Sequence, residues 1–173
     1  MQGVKCKTSY SNKMKIIKAS NSEIIDIVKL NSFVQKIHCD AHSDVFKPIG
    51  NESDVEEFFK KILKKESNHL FVAYQNDAAV GYAWAEVNAR PEFALKYARR
   101  KIYIHQIAVH PEHRKQSIGK ALFKEIEKLA NLEEIDHLEL DSWAFNTDAH
   151  IFFQRLGFET FNIKMWKKSI KNT

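Results

Sequence analysis

The chain has 173 residues, 44% of them apolar and 28% charged, the balance of a soluble domain long enough to bury its own core. Its 27 Lys and Arg against 22 acidic residues give a formal charge of +5, which suits an anionic ligand without choosing among anions. Cys6 and Cys39 are too few for a disulfide framework, and no apolar run approaches the ~18 residues of a membrane span. The N-terminus also lacks the apolar stretch of a secretory signal, so the expected compartment is the cytoplasm, with no membrane partner.

Residues 1–13 are polar and aperiodic and read as a flexible extension. Met14–Ala19 is a short strand. Ser20 and Glu23 have the spacing of a capping box, so a helix is expected from about Asn21 to Ile37, with Ile24, Ile27, Val28, Asn31 and Val34 on one side. A long polar linker follows. His38, Cys39, Asp40, His42 and Asp44 crowd into it, but their spacing is not that of zinc-ligand pairs, and no metal is expected. Ser53 and Glu56 suggest a second capping box before a helix over Val55–Lys65. His69–Tyr74 and Ala79–Val87 read as a hairpin about Asn76-Asp77, and Gly81 marks a bulge or a close backbone approach. Arg90–Arg100 reads either as one or two helical turns after Pro91 or as an irregular excursion.

Lys101–Val109 is the central strand. Strict alternation puts Tyr103, His105, Ile107 and Val109 on one side and Ile102, Ile104, Gln106 and Ala108 on the other. Pro111 ends it. A helix follows, with Leu122, Phe123, Ile126, Leu129 and Ala130 in one stripe. The junction between them, His110 to Gly119, presents unpaired backbone N–H groups at the positive end of a helix, a ready site for phosphate. Asp136–Ser142 is a further strand. Asn146 or Thr147 opens a helix that Gly157 closes, and Phe158–Trp166 is expected to supply the last strand or pair of strands before a lysine-rich tail, of which 169–173 lie beyond the domain. Helices returning the chain to a mixed sheet imply an α/β layered domain.

The turn Arg114-Lys115-Gln116-Ser117-Ile118-Gly119 after IAVHPEH, and the later run Asn146, Ala149, Phe153, Gly157, Phe158, together resemble the two signatures of the GNAT superfamily of N-acetyltransferases, over roughly residues 14–167. The resemblance implies a single-domain acyl-CoA N-acyltransferase fold over 14–168, a mixed central sheet flanked by helices. It also implies acetyl-CoA as cosubstrate and an amine as acceptor. Matched by position, Arg114, Lys115, Gln116, Ser117, Ile118, Gly119 and Lys120 would wrap the pyrophosphate. The backbone of Ile107, Ala108 and Val109 would bond the pantetheine arm and the acetyl carbonyl, and Asn146 and Phe153 would lie along the coenzyme. Ser117 stands where a glycine is usual. Phe153 stands where the family has a tyrosine that serves as acid to the leaving thiolate, so that the thiolate leaves unassisted, a water or a hydroxyl such as Tyr82 or Tyr103 replaces the acid, or the chain is impaired as a catalyst.

Attack by an amine that is mostly protonated at neutral pH calls for a base. Glu86, which shares a parity with Tyr82 and Trp84, and His105, two residues before Ile107, are the two candidates. A small-molecule amine is the expected acceptor. The alternatives are a protein or peptide amine, or a non-catalytic domain that binds coenzyme A. Relatives of this kind often pair, so a homodimer is a further expectation, and no nucleic-acid module is present.

Overall fold

The computed structural model describes residues 14–168. The extension and tail expected at 1–13 and 169–173 lie outside the described residues. The chain divides into two compact units, Met1–Asp141 and Ser142–Thr173.

In the first unit, five strands form one sheet in the order β1-β2-β3-β4-β5: β1 Met14–Lys18, β2 Asn68–Gln75, β3 Ala78–Arg90, β4 Arg99–Val109 and β5 Leu138–Leu140. The first three pairings are antiparallel and β4–β5 is parallel, so the sheet is mixed as expected. The β2–β3 hairpin turns on Asn76 and Asp77, both at positive φ (50° and 62°), the backbone that a two-residue type I′ turn requires. Helix α1, Ile24–Ala41, follows a capping box in which the Ser20 N–H donates to Glu23 Oε2 (2.7 Å) and Ser20 Oγ accepts from the Ser22 N–H (3.3 Å).

Helices α1 and α2 cover one face of the sheet. Ile24, Ile27, Val28, Leu30, Phe59 and Ile62 meet Leu70, Val72, Tyr82 and Ala108 there. The other face carries α3, Ile118–Leu132, through the expected stripe of Leu122, Phe123, Ile126, Leu129 and Ala130, with Ile118 added. Each such side chain contributes about 1.5–3 kcal/mol by leaving water, and truncating the fully buried Leu122 to Ala would cost about 2–5 kcal/mol.

Several boundaries depart from expectation. Helix α1 runs past Ile37 to Ala41, so His38, Cys39 and Asp40 are helical. No Gly or Pro interrupts it, and Lys36 pairs with Asp40 one turn on. Helix α2 is Glu52–Leu63, capped by Asn51, whose Oδ1 accepts from the Ser53 N–H (3.1 Å); Ser53 sits inside the first turn. Arg90–Arg100 contains no helix. β3 and β4 stay paired out to Arg90 and Arg99, and a Phe93–Lys96 bridge closes the excursion between them.

The second unit holds α4, Thr147–Arg155, capped by Asn146 and ended by Gly157 at φ 90°. Its described residues include no strand over Phe158–Trp166. A strand exists only by pairing, and the described residues of this unit offer no second strand to pair with. Phe161, Ile163 and Met165 are exposed.

Candidate functional site

The site is built on two irregularities of β3, one in its ladder with β4 and one in its ladder with β2. Trp84 pairs with Gln106 and Ala85 with Ile104, so His105 is an extra residue opposite no partner, a β-bulge. The bulge breaks the alternation that the sequence suggests. Gln106, not Ile107, shares a face with His105, and both residues point toward α1 and α2. Asn31 of α1 donates to Gln106 Oε1 (3.2 Å) and to the Tyr82 hydroxyl (2.9 Å), and Tyr82 donates to Gln106. Ile107 and Val109 pair with Ala83 and Gly81, on the α3 side. The second irregularity is at Gly81. Val80 is extra on β3 between Ala79 and Gly81, and a Cβ on Gly81 would lie 2.7 Å from the Ala108 carbonyl oxygen. Only glycine fits so close an approach.

The bulge brings the two base candidates together. His105 Nε2 lies 2.9 Å from Glu86 Oε2, and both side chains are about three-quarters buried. A carboxylate only accepts, so Nε2 carries a proton, and in the neutral imidazole Nδ1 presents its lone pair. No described residue bonds Nδ1. Trp84 stacks on the imidazole with ring centroids 3.9 Å apart and planes 15° apart, and Tyr103 meets it edge-on at 4.9 Å. The Tyr103 hydroxyl donates to Asp141 (2.7 Å).

The parallel partner β5 pairs only with Ile102–Ile104 and ends at Leu140, one residue before the bulge on β4. Beyond it, β4 continues for five residues with no β5 beside it. The Ala108 carbonyl faces β3, and His110 N–H donates to Val80 on the same side (2.8 Å). Alternation therefore turns the N–H and C=O of Ile107 and Val109 to the edge that β5 has left. Of the three backbone positions expected to serve, these two have groups free for a ligand, and Ala108 does not.

At the following turn, a 3-10 segment at Pro111–His113 leads to Lys115 and Ser117, both left-handed (φ 60° and 63°). The Ser117 carbonyl accepts the first α3 bond, from the Ala121 N–H (3.0 Å), which leaves the N–H groups of Ile118, Gly119 and Lys120 without helical acceptors. Residues alternating into the left-handed region before a helix N-terminus form a concave nest of donors for an anion. Arg114, Lys115, Gln116, Ser117 and Lys120 are exposed around it, and no described carboxylate pairs with Arg114, Lys115 or Lys120. Ile118 is buried and adds only its N–H. This donor set fits a pyrophosphate, and the free edge of β4 fits an amide-bearing arm.

Neither hydroxyl proposed to replace the missing tyrosine is free. Tyr82 is fully buried and bonded to Gln106, and burial raises its pKa. Tyr103 is raised by burial and by its bond to Asp141. In the second unit, Asn146 Oδ1 accepts from the Ala149 N–H (3.3 Å), and the Phe153 ring meets Phe152 and Phe158 edge-on. His110 accepts from the Glu112 N–H, and His113 bonds Gln75. Among the described residues, no three His, Cys, Asp or Glu side chains are grouped to hold a metal, and no helix is long and apolar enough to cross a membrane.

Sequence reasoning passed over Asn68, Gln106 and the ring contact of Trp84. The one available signal for Trp84 and Gln106 was the shared parity of Tyr82, Trp84 and Glu86, and it becomes informative only once the bulge is known.

The fold is that of an acyl-CoA N-acyltransferase, a mixed sheet whose fourth strand parts from its parallel neighbour above a phosphate-sized nest. A model of the acetyltransferase (GNAT) family matches residues 33–158, and the chain belongs to that family. Membership implies acetyltransferase chemistry in general. An uncharacterized N-acetyltransferase of Methanocaldococcus jannaschii is 29% identical over 116 residues, which are 66% of this chain; the chain spans about half (50%) the length of that relative. Among solved structures, a tetramutant of the BH1408 protein of Bacillus halodurans superposes with a TM-score of 0.82 at 22% identity, covering 90% of this chain and 99% of its own. Aminoglycoside N-acetyltransferase AAC(6')-Iy in complex with CoA gives 0.72 at 17% identity, with 91% and 95% covered. The aminoglycoside 6'-N-acetyltransferase AAC(6')-Ih of Acinetobacter baumannii gives 0.68 at 22%, with 91% and 99% covered. At these identities the likeness is one of fold.

Proposed function

We propose that this chain transfers an acetyl group from acetyl-CoA to a primary amine of a small molecule by direct attack on the thioester. The observation that carries the reading is the His105–Glu86 pair, held by a bulge where β4 loses its parallel partner. Bound there, acetyl-CoA supplies an activated thioester.

The chain's own residues do the rest. The nest from Arg114 to Lys120 receives the pyrophosphate on backbone donors and basic side chains. Ile107 and Val109 receive the pantetheine arm, and an N–H of this edge aimed at the thioester oxygen stabilises the charge developing there. His105 removes the amine proton at Nδ1, directly or through one water, while Glu86 holds the opposite nitrogen. Tyr82 and Tyr103 are engaged elsewhere, so the leaving group departs without an obligatory acid. A thiol titrating near ~8.5 is a good enough leaving group for that.

The test is calorimetric titration with coenzyme A, followed by thiol release from acetyl-CoA across polyamines, aminoglycosides, amino acids and peptides. Aminoglycosides belong in the panel because two of the structural neighbours act on them. Saturable heat with turnover on one class of small amine is expected. Turnover on peptides alone would move the acceptor to proteins. Heat without turnover would favour a non-catalytic coenzyme-binding role, the reading Phe153 supports. Absence of heat at saturating coenzyme would overturn the assignment.

A further inference from the structure

We infer that Trp84, tethered by Asn68, is a positioning residue that fixes the plane of the His105 imidazole and thereby selects Nδ1 as the basic atom; this rests on the acetyl-transfer reading above. His105 sits on a bulge, with no residue of β3 in register directly opposite it. A single bond from Nε2 to Glu86 leaves the ring free to roll about the Nε2···Oε2 axis. It also leaves the side chain free to swing so that Nδ1 takes Glu86 instead. The indole opposes both motions. With centroids 3.9 Å apart and planes within 15°, any tilt of the imidazole drives ring atoms into the indole face. Tyr103, edge-on at 4.9 Å, blocks the lateral swing.

A stack restrains its partner only if it is itself fixed. Trp84 is held at its polar end and along its edges. Its Nε1–H donates to Asn68 Oδ1 (2.7 Å), and Phe58 and Phe59 meet the indole edge-on at 5.8 and 6.3 Å. Asn68 is buried on β2, directly opposite Glu86. The residue that holds the indole therefore sits across the ladder from the carboxylate that holds the imidazole. Indole Nε1 only donates, so the Asn68 amide is fixed with its oxygen toward Trp84.

The experiment compares Trp84→Leu, Trp84→Phe and Asn68→Leu with the parent, each checked for folding by its thermal transition. The first readout is the long-range 1H–15N spectrum of His105 in alkaline buffer, assigned by its loss in His105→Asn. The parent is expected to show one tautomer, with the proton on Nε2. Trp84→Leu and Asn68→Leu should show a tautomer mixture, and Trp84→Phe, which keeps a ring face, should stay close to the parent. The second readout is turnover. Trp84→Leu should lower kcat about tenfold to a hundredfold with KM for acetyl-CoA within about twofold, the size of effect expected when a reacting group is misplaced by about an ångström. Trp84→Phe should restore most of it. A single Nε2–H tautomer with parental kcat in folded Trp84→Leu would overturn the inference. If the parent turns over no amine, the acetyl-transfer reading fails by itself, and the tautomer spectra alone decide whether Trp84 fixes the ring.

Discussion

Replacing Gly81 by alanine tests the geometry at the point where the two strands crowd together. The new Cβ would stand 2.7 Å from the Ala108 carbonyl oxygen and 3.2 Å from both Ile118 Cγ2 and Leu122 Cδ1. The two side-chain methyls can give by a few tenths of an ångström. The carbonyl cannot, because it belongs to a strand held by β3 on that side and by α1 through Gln106 and Asn31. Restoring ordinary contact means moving the backbone by roughly 0.7 Å or more, and overpacking of this kind costs about 1–3 kcal/mol. For a protein of this size, each kcal/mol lowers Tm by about 2–4 °C, so a fall of about 2–12 °C is expected by calorimetry or circular dichroism. The displaced segment carries the free edge at Ile107 and Val109, so affinity for coenzyme A should fall as well, about fivefold to thirtyfold for 1–2 kcal/mol. A folded Gly81→Ala protein with parental Tm and parental affinity for coenzyme A would show that β3 and β4 do not approach closely at Gly81 and that the edge at Ile107 and Val109 does not hold the coenzyme.

Three further outcomes are expected. His105→Asn should reduce kcat by about 10²–10⁴-fold, the range for loss of a general base, and Glu86→Gln by less, with acetyl-CoA binding retained in both; unaltered turnover in His105→Asn would move the base elsewhere. At Ser117, held at φ 63°, glycine should be neutral or stabilising by up to about 1 kcal/mol. Valine, whose branched Cβ tolerates that region least, should destabilise by about 1–2 kcal/mol in denaturant unfolding. Stability should fall as pH drops below about 6.5, the ordinary histidine value. Burial lowers the pKa of His69 in the folded chain, with Lys18 adding to the effect, so the unfolded chain binds the extra proton first and each pH unit in that window costs at most about 1.4 kcal/mol. His69→Leu should flatten that acid limb, and an unaltered limb would exclude His69 as its source.

Local chemistry was enough to read most elements from the sequence. The capping box at Ser20, the Asn76-Asp77 turn, the α3 stripe, the Asn146 cap and the Gly157 stop are each set by residues within four positions of one another, so short-range spacing determines them. The same holds for the donor-rich turn before α3 and for Glu86 and His105 as candidates. The exact reach of α1 and the cap of α2 were less legible, because several residues competed for each end and only the folded backbone chose among them.

The register of β3 against β4 was not legible, and the site depends on it. Whether His105 and Gln106 lie on opposite faces or on the same one turns on a one-residue slip against Trp84 and Ala85, contributed by a strand some twenty positions earlier in the chain. The sequence by itself determined which chemical groups were available: an imidazole, a carboxylate and a glycine where two strands press together. Only the tertiary structure decided that the imidazole and the carboxylate meet, because a bulge is a mismatch between two segments and neither segment contains it alone.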